Sequence, residues 1–149
     1  MQGNTMKSTV TLCAAAAFAA VMATASAAPA ASPPSTAQRP VLVDCTWQPQ
    51  EHPTDFMIAC GDGNSRLSSL HWSVWGPESA VATGINTVND CKPYCAAGRF
   101  HDYPVVVRLD NPRPWKGHSP LRQYTVMNLI YTHDSPEGSG RTVSYPLWS

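Results

Sequence analysis

The sequence predicts an all-β protein, a single small antiparallel β-sandwich or barrel of about seven strands with two disulfides. Three observations point there. Apolar residues recur at period two in short runs, and no stretch keeps a helical period. Fourteen prolines and nine glycines punctuate those runs, while charged residues make up only 13% of the chain. Four of the five cysteines lie beyond residue 40, an even number suited to pairing.

The N-terminus holds Lys7, an apolar run over residues 10–22 and then small residues ending in Ala25-Ser26-Ala27. This is the pattern of a cleavable signal peptide over residues 1–27, so the mature chain is expected to be secreted and to have no membrane contact. The apolar run is shorter than the roughly 20 residues a spanning helix needs. Cys13 lies inside that run and leaves with it. Residues 28–40, rich in Ala, Pro and Ser, read as a disordered or polyproline-like leader, and residues 41–149 as the domain.

Taken in order, Val41, Val43, Cys45 and Trp47 share one face of an extended run that Pro49 and Pro53 interrupt. Phe56, Ile58 and Cys60 share a face of the second strand, and Gly61-Asp62-Gly63-Asn64 supplies the turn after it. Over residues 67–75, Leu70, Trp72 and Val74 alternate with His71, Ser73 and Trp75, which places Trp72 in the core beside Trp47 and turns Trp75 to the other face. Residues 80–88 form the next strand, where Gly84 marks a bulge or a close backbone approach. Residues 89–104 are the longest irregular stretch. A short strand over 105–110 is stopped by Asn111-Pro112-Arg113-Pro114. Residues 123–132 are apolar on both faces, which places that strand centrally, and its Asn128 needs a partner if buried. Residues 133–140 are a turn, and 141–147 the last strand, with Val143, Tyr145 and Leu147 together. A single helical turn fits residues 67–70 or 91–98.

Four cysteines allow three pairings. Strand parity puts Cys45 and Cys60 on the apolar sides of their strands, which favours a buried Cys45–Cys60 bridge and leaves Cys91 to close a small loop with Cys95. A zinc site using these thiols is disfavoured in an oxidising compartment. A redox pair at Cys91 and Cys95 lacks both the C-x-x-C spacing and a helix N-terminus.

Little else in the chain points to chemistry. Without Lys7, nine Lys and Arg face ten Asp and Glu, and the basic residues are scattered, so no phosphate-tracking stripe for nucleic acid exists. His52, His71, His101, His118 and His133 form neither H-x-H nor H-E-x-x-H, so no metal or cofactor is expected. Gly138-Ser139-Gly140 is a turn and not a nucleophile elbow. Asp62-Gly63-Asn64 fails as a calcium loop because Arg66 stands where an oxygen ligand belongs. No pair of carboxylates is brought together for glycoside hydrolysis.

Ile58-Ala59-Cys60-Gly61-Asp62-Gly63-Asn64, then Leu70-His71-Trp72-Ser73-Val74-Trp75-Gly76, then Asn89-Asp90-Cys91-Lys92-Pro93-Tyr94-Cys95-Ala96-Ala97-Gly98 resembles a group of small secreted actinomycete proteins. The likeness runs on through Tyr103-Pro104-Val105. It implies secretion and a single domain, and it carries over no catalytic residue. A weaker likeness is to bacterial subtilisin inhibitors, which also have two disulfides and a reactive loop after a cysteine. That family's second bridge reaches a cysteine near the C-terminus, and here no cysteine follows Cys95.

The sequence therefore reads as a non-catalytic binding module for an extracellular protein or glycan, with a protease inhibitor as the alternative and a small hydrolase third. Recognition is expected in residues 91–103, where a disulfide and Pro93 stiffen a segment that has no strand period. Tyr94, Arg99, Phe100 and His101 supply interface-prone residue types, and Trp115, in a Pro-rich loop, is a further stacking candidate. The competing expectation, toward which the sequence leans, is that Tyr94 and Phe100 fold back to cap the core.

Overall fold

The structure, a computed structural model, describes residues 39–148. The expected signal peptide and most of the leader lie outside them. Eight strands form: β1 (Leu42–Val43), β2 (Pro49–Gln50), β3 (Phe56–Met57), β4 (Ser65–Trp75), β5 (Ala80–Asn89), β6 (Phe100–Pro114), β7 (Arg122–Tyr131) and β8 (Thr142–Pro146). Six of them, β3 to β8, make one curled antiparallel sheet in chain order. β1 and β2 pair as a separate ribbon. That ribbon is tied to β7 through Val41, whose N–H donates to Arg122 O and whose carbonyl accepts from Tyr124 N–H. The all-β class and both disulfides, Cys45–Cys60 and Cys91–Cys95, are as the sequence predicts. Such bridges fit an oxidising, extracellular setting. No helix among the described residues is long and apolar enough to cross a membrane.

The core gathers Leu42 from the ribbon with Leu67, Leu70 and Trp75 of β4, Val105, Val107 and Leu109 of β6, and Met127, Leu129 and Tyr131 of β7. Tyr124 and Tyr131 are buried to the ring, and each phenol donates inward, to Gly76 O and to Asn86 Oδ1 respectively. Burial pushes both phenols up to about 12, so they remain neutral donors. β7 lies between β6 and β8, as its apolar content predicts, but the Val126, Asn128 and Ile130 side is only half-covered. Asn128 has its partners: its amide donates to Asp110 Oδ2 and its carbonyl accepts from Ser144 Oγ.

β4 departs from simple alternation. Ser69 and Leu70 together oppose Gly84, and Ser73 is an extra residue between Trp72 and Val74. Each bulge shifts the side-chain parity by one. The inward set becomes Leu67, Leu70 and Trp75, with Trp72 half-buried and Val74 in solvent. The expected faces of Val74 and Trp75 are thus exchanged. Trp75 meets Trp72 and Tyr124 edge-on at 4.6 and 5.5 Å, and its indole N–H donates to Pro40 O. Gly84 is the close approach expected of it, since a Cβ there would meet Leu70 Cδ2 at 2.8 Å and Ser68 O at 2.9 Å.

Other expectations need correction. The first run ends at Val43, because the Asp44 side chain accepts from Thr46 N–H and Gln48 N–H and turns the chain, leaving Trp47 55% exposed instead of in the core. The Cys45–Cys60 bridge pairs as expected but lies in connections outside the strands, with Cys60 exposed. The irregular stretch is shorter than residues 89–104, since β5 keeps Asn89 and β6 begins at Phe100. Pro112 and Pro114 do not stop β6. Past Leu109 this strand has left β5 behind and pairs only with β7, an edge-like position where proline is tolerated.

Candidate functional site

The connection between β5 and β6, residues 90–99, is shaped by polar groups and a disulfide rather than by the core. Asn89, the last residue of β5, is almost fully buried and works as a clamp. Its amide N–H groups donate to Asn64 Oδ1 in the β3–β4 turn and to Cys95 O, and its Oδ1 accepts from Cys91 N–H. Asp90 closes the neck of the loop. Its backbone N–H donates to Arg99 O, while its carboxylate accepts from Arg99 N–H at 2.9 Å, His101 Nε2 at 3.0 Å and Lys92 N–H at 3.1 Å. These donors, the Arg99 amide first and the His101 ring second, hold the Asp90 carboxyl down at about 2. Gly98 is required by space, because a Cβ there would fall 2.1 Å from Asn89 Oδ1 and 2.8 Å from Cys91 N. Cys95–Ala97 form a short 3₁₀ turn, the single helical turn expected of residues 91–98.

With its backbone so fixed, the loop leaves its large side chains in water. Tyr94 is 64% exposed and Phe100 50%, so the capping expectation is not what the structure shows. The Arg66 guanidinium lies 5.5 Å over the Phe100 ring, a cation–π contact reaching across from β4. Arg99 and His101 are also exposed. The structure thus brings Tyr94, Arg99, Phe100 and His101 to one loop and its root. Trp115 is not with them. It is 4% exposed, packs on Val41 and Val43 and stacks on His118 at 3.6 Å, so the expectation of an exposed stacking ring there is corrected.

An open groove of about 660 Å³ flanks the loop, with Asp90, Lys92, His101 and Tyr103 on one side and residues 136–139 on the other. Lys92 pairs with Glu137 across it. The Asp90–His101 pair has the form of half a catalytic triad. Neither Tyr103 nor Ser139 hydrogen-bonds to His101, so the Asp90–His101 pair is not completed by a hydroxyl nucleophile. The organising residues Asn89, Asp90 and Gly98 were not singled out from the sequence as site residues. Asn-Asp just before a cysteine loop is their available signal, since short Asx side chains bond nearby backbone N–H groups.

Among known proteins, no family model, no curated protein and no solved structure matches this chain.

Proposed function

We propose that this chain is a secreted, non-catalytic binding module, and that residues 91–103 are its recognition surface for an extracellular protein or glycan. One observation carries the reading: Tyr94 and Phe100 stand in solvent on a backbone already fixed by Cys91–Cys95, Asn89 and Asp90. Exposing such rings has no benefit for folding, whereas a rigid aromatic loop loses little conformational entropy on association. Aromatic and Arg residues are also those that dominate interface energetics. The signal sequence and the disulfides support secretion. The inhibitor alternative finds less support, because the loop's apex is a 3₁₀ turn and not the extended run that binds as an added strand.

Pull-down from culture medium with the wild type and a Tyr94→Ala/Phe100→Ala variant tests the reading. The wild type is expected to retain a specific partner, and the variant to lose at least about tenfold in affinity. A partner retained with full affinity by the variant would move recognition elsewhere on the surface.

A further inference from the structure

A second exposed aromatic ring, sharing no residue with the loop above, is Trp47. Its φ is +62°, a left-handed conformation that bulky residues rarely adopt. The turn that imposes it is built around Asp44. Asp44 O accepts from Trp47 N–H, and Asp44 Oδ1 accepts from Thr46 N–H, Thr46 Oγ1 and Gln48 N–H. Asp44 Oδ2 accepts from Gln50 Nε2. So held, Trp47 lines a cleft of about 200 Å³ together with Trp148, Asp44 and the Cys45–Cys60 disulfide. Trp148 is itself fixed by stacking on Phe56.

The cleft offers two indoles, a disulfide and one carboxylate. A sugar would need a fringe of acceptors as well as donors, and Asp44 is the sole side chain lining the site with acceptor oxygens, four donors already being on it. An ammonium bearing N–H groups would meet the same shortage of acceptors. What remains is negative charge beside two indole rings, which suits a cation that asks for no hydrogen bonds. Burial works against ionisation of Asp44, but the Gln48, Thr46 and Gln50 donors outweigh it and keep the carboxyl below its ordinary range. We propose that the Trp47–Trp148 cleft binds a quaternary ammonium group, carried by a small soluble compound of the choline type.

Calorimetric or fluorescence titration with tetramethylammonium and choline tests this, with the neutral isostere 3,3-dimethylbutan-1-ol and glucose as controls. Saturable binding of both cations is expected, with the two neutral compounds far weaker. Trp47→Ala, at an exposed position where folding is little affected, should weaken the cations about tenfold, and Trp47→Phe should keep most of the affinity. Equal binding of the isostere, preference for glucose, no saturation, or cation binding unmoved by Trp47→Ala would each overturn the proposal. So would binding to phosphatidylcholine vesicles without binding to free choline, which would assign the site to a lipid surface.

Discussion

At the end of the sheet where β4 turns into β5, aromatic rings go inward; where β5 turns into β6, they stay out. The first connection is four residues, 76–79, and at its root Trp75 and Tyr124 pack edge-on, the Tyr124 phenol donating to Gly76 O within the connection itself. The second is ten residues, 90–99, and takes its shape from Cys91–Cys95, Asn89 and Asp90. A short connection can be ordered by the core it emerges from. A longer one must be ordered by something else, and if polar groups and a covalent bridge do that, its aromatic side chains are free for contact with other molecules. Residue type alone therefore does not decide whether a ring is scaffold or surface.

Three measurements bear on that contrast, the largest effect first. Trp75→Ala should cost about 3–5 kcal/mol in urea unfolding, the range for an aromatic lost from a core, whereas Phe100→Ala should stay within about 0.5 kcal/mol. Equal losses at the two positions would erase the distinction between the ends. Next, Gly98→Ala should cost about 1–3 kcal/mol as the new methyl displaces the Asn89 amide or the Cys91 backbone. Hydrogen exchange should then rise at Cys91 while β7 keeps its protection, and protection lost throughout the sheet would show the loop to be part of the core.

The smallest effect is an acid transition confined to the loop. The Asp90 carboxyl titrates at about 2 in the folded chain against an ordinary 3.8. A depressed carboxylate contributes stability that is present above the ordinary value and is lost as pH falls through the folded one. Backbone amide shifts of Arg99 and Lys92 should follow the folded carboxyl, with a midpoint at about 2, while the Trp75 indole signal holds. A midpoint at the ordinary 3.8 would mean that Asp90 does not close the loop.

Much of this was legible from residues. Period-two runs and turn residues marked most of the strands, and cysteine parity chose the right pairs even though Cys45 and Cys60 sit outside the strands it was applied to. The loop with Tyr94, Arg99, Phe100 and His101 could be found because a disulfide closes a segment without period, but the exposure of Tyr94 and Phe100 runs against the capping toward which the sequence leans. What escaped depends on partners. Counting by two through β4 fails at Ser69 and Ser73, because a bulge is defined by register against β5 and leaves no mark in β4 alone. The prolines of β6 looked like a stop because nothing local shows that β5 ends opposite Leu109. Trp47 looked like core because the Asp44 turn overrides the alternation, and its approach to Trp148 joins positions from the two ends of the domain.

The bulges in β4 also bear on how the protein behaves in a crowd. An open sheet has two edges, and a flat edge with free N–H and C=O groups invites another chain to add a strand. β3 covers β4 only at Arg66 and Leu67, which leaves most of that strand's outer side unpaired by any strand. There the edge is irregular: Ser69 sits at φ +52°, the Leu70 N–H is spent on Thr54 O, and the Trp72 indole reaches across to Pro53 O. At the far edge β8 is five residues long and ends in Pro146. Both edges thus carry features that work against the addition of a further strand.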